Sequence, residues 1–192
     1  MQVTYKSALN PVNIENANER QQKLFEQAKS IYKFIPNMQK SMANYPPLLE
    51  SYLNGVSAFR MESGFSIIEQ EIVFISISFE NNCDYCVASH SLIAEIKAKM
   101  SKDLIHKLRN DEKLSDLKLN TLKEFSKHIL TEKGYPKIDE VKRFIEVGYS
   151  ETQVLAIIHA ISLKTLSNYV NHIFHTELDT ISKVWEWDSK SR

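Results

Sequence analysis

Runs of mixed polar and apolar residues in this chain are long and seldom interrupted. Gly occurs 4 times and Pro 5 times in 192 residues, and runs without breakers favour helix. Residues 1 to about 14 read as an extended arm, followed by a helix over Asn18 to Lys33. Pro46 and Pro47 split two shorter helices, Asn37 to Asn44 and Pro47 to Met61, with Pro47 suited to a first turn. Gly64 then breaks the chain.

Ser66 and Glu69 fit a capping box, a hydroxyl at the cap and an acid three residues on. The segment behind them, QEIVFISISFE, is β-branched and partly alternating, so it also suits a strand. The cap decides for a helix over 66–80. Asn81-Asn82 is a turn, and Asn82 is placed to cap a helix over Cys83 to Met100. Ser101 and Ser115 cap helices over 101–109 and 115–132, and Gly134, Tyr135 and Pro136 end the second. Helices over 137–147 and 151–175 complete an all-α domain. A faint repeat links SIIEQEIVFISIS (66–78) to SETQVLAIIHAIS (150–162): each has a Ser cap, an acid or amide three residues later and a closing Ile-Ser. Trp185 and Trp187, in the charged tail, suggest docking on the body or on another subunit.

Composition narrows the function classes. Residues are 43% hydrophobic and 25% charged, ordinary globular values for one domain. Lys plus Arg equals Asp plus Glu at 24 each, so no electrostatic footprint for nucleic acid or an anionic membrane follows. The first residues show no apolar signal-peptide core, and no apolar run reaches the ~18 residues of a membrane span. The expectation is a cytoplasmic protein. There a lone cysteine pair points to catalysis, redox sensing or metal binding rather than a structural disulfide.

The chain has 2 cysteines, Cys83 and Cys86, with His90 close behind in ENNCDYCVASHSLIAEIKAK. Two cysteines fall three apart by chance about one time in a hundred. On a helix the three side chains span an arc of roughly 60°, one continuous face. Cys86 and His90 are one turn apart, so the imidazole can reach the thiol. Free N–H groups in a helix's first turn lower thiol pKa values. Folding 66–80 back on 83–100 brings Glu71 within about one turn of His90, and a buried carboxylate needs a partner. Glu71, His90, Cys86 and Cys83 then read as base orienter, base, nucleophile and resolving thiol. The plain alternatives are inert buried thiols, a Glu71 that reaches solvent or a Lys, and a zinc site. Zinc is disfavoured because Cys83 and His90 lie ~10 Å apart along a regular helix, whereas ligands sit within ~2.3 Å of the ion. His106 and His128 read as solvated and His159 as a core histidine. His172 and His175, with Asn168 and Asn171, read as lining a pocket or an interface, the interface being the favoured reading.

The pattern Glu71-x11-Cys83-x2-Cys86-x3-His90 resembles the signature of the alkylhydroperoxidase AhpD-like branch of the carboxymuconolactone decarboxylase superfamily. The strong match covers about 64–100, with weaker similarity to about 175. The first 60 or so residues add nothing to the match, so the chain divides into an arm and extra N-terminal helices over 1–62, an AhpD-like core over 63–178 and a tail over 179–192. The resemblance implies assembly as trimers or hexamers, and an alkyl hydroperoxide reductase using neither haem nor metal. Cys86 would attack the peroxide, Cys83 resolve it, Glu71 and His90 relay protons, and an external dithiol restore the thiols. The chain departs from the best-known members at Tyr85, where they carry a His, which implies an altered relay. The rival readings are a general thiol–disulfide oxidoreductase, a decarboxylase or lactone-handling enzyme, and a helical interaction protein whose thiols sense oxidation.

Overall fold

The computed structural model describes residues 4–191, with no strand among them. Nine α-helices are present among the described residues: α1 Glu19–Tyr32, α2 Asn37–Met42, α3 Pro46–Glu62, α4 Ile67–Glu80, α5 Asp84–Ile96, α6 Lys102–Arg109, α7 Leu117–Thr131, α8 Ile138–Glu146 and α9 Glu151–Phe174. The all-α expectation therefore holds. Met1 to Val3 of the expected arm, and Arg192 of the tail, lie outside the described residues. The arm from Thr4 runs along the body, with the Ser7 N–H donating to Ile173 O at 2.8 Å and that of Val12 to Lys40 O at 2.9 Å.

The ambiguous segment is a helix. Ser66 Oγ accepts from the Glu69 N–H, and the Glu69 carboxylate accepts from the Ser66 N–H, as the capping box requires. α4 packs against α5, α6, α7 and α9. Ile72, Val73, Ile75 and Ile77 are each 0% exposed, so the helix is buried on every side and shows no solvent-facing polar stripe to mark its period. Tertiary packing here overrides the strand preference of its β-branched residues. The second capping box, Ser150 with Gln153, opens α9, so both halves of the faint repeat begin the same way.

Two expected caps are corrected. Asn82 does not cap α5; it takes φ 54°, a left-handed geometry Asn tolerates, and closes the turn. Cys83 itself occupies the cap position, extended, its N–H donating to Ser78 O at 2.9 Å. Asp116, not Ser115, caps α7, accepting from the Leu119 N–H at 2.9 Å. α5 also stops at Ile96, short of Met100, because the chain turns through a positive φ of 54° at Lys99. Gly55 lets α3 lie close to α9: a Cβ there would stand 2.6 Å from Leu163 Cδ2.

The tail docks on this chain's own body. Trp185 is buried, its Nε1–H donating to Glu95 Oε2 at 2.7 Å, and Arg109 donates to Trp185 O at 2.8 Å and Glu186 O at 2.6 Å. The Trp187 Nε1–H reaches Arg109 O at 3.2 Å. Trp185→Ala is expected to lower stability by ~3 kcal/mol in denaturant unfolding, the usual scale for truncating a buried aromatic. No helix among the described residues is long and apolar enough to cross a membrane.

Candidate active site

The antiparallel α4–α5 hairpin brings Glu71 and His90 together. His90 Nδ1 lies 2.8 Å from Glu71 Oε2, and the carboxylate is 0% exposed. The other oxygen, Oε1, pairs with Arg60 of α3 at 2.5 Å. Arg60 also donates to Gln70 Oε1 at 2.9 Å and lies over the Phe74 ring, 4.9 Å from its centroid. Phe74 in turn packs on His90, with ring centroids 4.8 Å apart. Burial pushes the Glu71 carboxyl up, but Arg60 and then His90 outweigh it and hold the group below its ordinary range. Burial, then the Lys164 charge, push the His90 imidazole down despite Glu71. Glu71 is thus an acceptor and His90 neutral, so Nδ1–H donates to Glu71 and Nε2 keeps its lone pair. That is the protonation state of a general base.

The two thiols are unequal. Cys83 is 1% exposed and Cys86 2%, and neither is disulfide-bonded. They lie within hydrogen-bond reach of each other. Cys86 lines a cavity of about 300 Å³ together with His90, whereas Cys83 sits behind it, outside the lining. Asn171 Nδ2–H of α9 donates toward the Cys86 sulfur at 3.3 Å and stands 3.8 Å from that of Cys83. Burial pushes the Cys86 thiol up, but donation from Cys83 and the Lys164 charge outweigh burial and hold it well below its ordinary value. Cys83 is a correction to the expectation for first-turn thiols: burial, then its bonded neighbour Cys86, push it well up.

Much of the cavity wall is apolar and aromatic, from Tyr32, Tyr52, Phe74, Leu92, Ile93 and Ile181, with Arg60, Lys164 and Asp179 set into it. The Tyr32 and Tyr52 hydroxyls hydrogen-bond each other, and burial pushes both phenols up. The first sixty residues therefore supply one wall, and the tail supplies another through Asp179, Ile181 and Ser182. Tyr85 turns toward that tail: its hydroxyl donates to Asp179, which also accepts from the Asn37 N–H at 3.1 Å. Burial, then the Asp179 charge, push the Tyr85 phenol well up. Tyr85 thus ties the tail to α5 and keeps its own proton.

The structure also relocates residues read as an interface. Asn168 and Asn171 are buried on the face of α9 that meets the thiols, with Asn81 Nδ2–H donating to Asn168 Oδ1 at 2.9 Å. His172 and His175 are exposed, apart from them. His159 is half-buried, edge-on to Phe59 at 6.1 Å. The sequence reading missed Arg60 and Lys164. Lys164, Asn168 and Asn171 recur at i, i+4 and i+7, and that polar stripe within the apolar α9 was the available signal. Among the described residues no group of three His, Cys, Asp or Glu side chains converges to hold a metal ion.

No family model and no curated protein matches the sequence. Solved structures do. An AhpD-core, uncharacterized peroxidase-related protein from Ralstonia eutropha JMP134 superposes with a TM-score of 0.81 at 15% identity, covering 94% of this chain and 96% of that one. An uncharacterized peroxidase-related protein from Silicibacter sp. TM1040 gives 0.76 at 15% identity, over 98% and 100% of the two chains. A variant of the debrominase Bmp8 in complex with 2,3,4-tribromopyrrole gives 0.76 at 13% identity, over 93% and 95%. The likeness extends well beyond residues 64–100 and takes in helices ahead of the hairpin.

Proposed function

We propose that this chain, which has the fold of the AhpD-core, peroxidase-related structures, is a thiol-dependent peroxidase acting on an apolar organic hydroperoxide. The observation that carries the reading is the placement of the pair: Cys86 lines the cavity beside His90, and Cys83 lies outside the lining within bonding reach of it. The Cys86 thiolate attacks the distal peroxide oxygen. The O–O bond breaks, the alkoxide takes up a proton and leaves as alcohol, and Cys86 becomes a sulfenic acid. Cys83 must lose its proton to attack that sulfur, and neutral His90, oriented by Glu71, is the base at hand. The S–S bond forms and water leaves. An external dithiol then restores both thiols by exchange. The sum is hydroperoxide plus dithiol giving alcohol, water and disulfide.

The test is hydroperoxide consumption with a small dithiol as reductant. Wild type is expected to turn over and Cys86→Ser to fall to the uncatalysed rate; consumption by Cys86→Ser at the wild-type rate would end the proposal. The aromatic cavity wall favours one second reading, reductive dehalogenation of a halogenated ring, by analogy with the debrominase neighbour. There the same two thiols would supply two electrons and a proton, giving the ring with hydrogen in place of one halogen, halide, a second proton released to solvent, and the disulfide. Bromide release from a bromopyrrole without hydroperoxide turnover would select it.

A further inference from the structure

Lys164 is 2% exposed, yet among the described residues its side-chain ammonium has neither an ion-pair partner nor a hydrogen bond. Its Nζ stands 5.5 Å from the Phe74 ring centroid, and it lines the cavity that Cys86 and His90 share. A buried ammonium without an anion is costly. The nearby carboxylates are already engaged: Glu71 with Arg60 and His90, Asp179 with Tyr85 and the Asn37 N–H. Lys164 also shares its helix face with Asn171, which donates to the Cys86 sulfur. The remaining candidate anion around this cavity is Cys86 itself.

We propose that Lys164 is a positioning residue for the thiol pair: its ammonium is the counter-charge that holds Cys86 as a thiolate, and it makes the Cys83–Cys86 disulfide easy to reduce. The second effect follows from the first. Oxidation joins the two sulfurs, releases two electrons to the oxidant and removes the negative charge. Lys164 is then left buried with no anion, so the oxidised state is raised relative to the reduced one. A couple whose reduced form is stabilised in this way is the more oxidising. The inference rests on Cys83 and Cys86 being the working pair. The other groups facing Cys86 do not replace Lys164. His90 and Tyr85 lie on α5 with Cys83 at its cap, Tyr52 on α3, Tyr32 on α1 and Asp179 in the tail, while Arg60 of α3 is already paired with Glu71. Burial pushes the three phenols up and the imidazole down, so all four stay uncharged at neutral pH.

The experiment compares wild type, Lys164→Met and Lys164→Arg in two assays on the full chain. Residue-resolved alkylation by iodoacetamide across pH reports the Cys86 thiolate. Equilibration with a buffer of glutathione and glutathione disulfide reports the couple, the glutathione disulfide being the oxidant. In Lys164→Met the neutral-pH alkylation rate of Cys86 is expected to fall about tenfold. The oxidation constant is expected to rise about tenfold, a potential ~30 mV more negative. Lys164→Arg is expected to restore both toward wild type. Lys164→Gln, whose amide can hydrogen-bond in the cavity, carries the same expectations as the Met variant if that variant is unstable. A folded Met or Gln variant with the wild-type pH profile and equilibrium would overturn the role of Lys164. The Cys86→Ser turnover assay answers separately for the peroxidase reading.

Discussion

Arg60→Met is expected to destabilise the protein by about 3–5 kcal/mol, far more than the loss of a surface charge. The reason lies in what Arg60 leaves behind. Glu71 is 0% exposed and pairs with Arg60 at 2.5 Å on one oxygen and His90 at 2.8 Å on the other. Met keeps the aliphatic stem against Phe74 but strands a buried carboxylate beside a neutral imidazole. The Glu71 carboxyl then moves up, and its proton competes with the His90 Nδ1–H, loosening the base. Denaturant unfolding checks the stability, and the pH dependence of that stability checks the cause. In wild type the folded Glu71 lies below its ordinary 4.5 and His90 below its ordinary 6.5. The unfolded chain therefore takes up protons first at both groups, and stability falls as pH drops below 6.5 and again below 4.5. In Arg60→Met the lower of these two losses is expected to shrink or reverse, because Glu71 no longer has the depressed value that creates it.

Cys83→Ser is expected to stop hydroperoxide consumption after about one equivalent per chain and to accumulate sulfenic acid on Cys86. The serine hydroxyl can still donate toward Cys86, so the first attack remains possible. It cannot form the intramolecular disulfide, so the fast exit is lost and only direct attack of the dithiol on the buried sulfenic acid is left. Trapping with dimedone and peptide mass spectrometry would locate the adduct. Continued multiple turnover in Cys83→Ser, with the label absent from Cys86, would show that resolution does not pass through Cys83.

The parts of the site that were legible in the sequence are those carried by neighbouring elements. Cys83, Cys86 and His90 lie on one hairpin arm and Glu71 on the other, so counting residues outward from one turn was enough to pair Glu71 with His90. Arg60 and Lys164 arrive on α3 and α9, and no local spacing links them to the hairpin. What they share is a charge inside an apolar helix, which alone does not say where it points. The pattern of α4 was ambiguous for a physical reason as well: a helix buried on every side loses the polar face that reveals its period. The cap of α5 was misplaced by one residue because Asn82 serves a left-handed turn rather than a side-chain cap, and both uses suit Asn equally. The docking of the tail followed from its two tryptophans, but the bond from Tyr85 to Asp179, which brings that tail to the cavity, depends on residues 94 apart in sequence.

The most direct measurement adds one equivalent of an alkyl hydroperoxide to the fully reduced protein and maps the products by peptide mass spectrometry without reductant. The account predicts a linked Cys83–Cys86 peptide and one equivalent of alcohol. Two intact thiols with the hydroperoxide unconsumed, or oxidation of Cys83 with Cys86 left free, would contradict it.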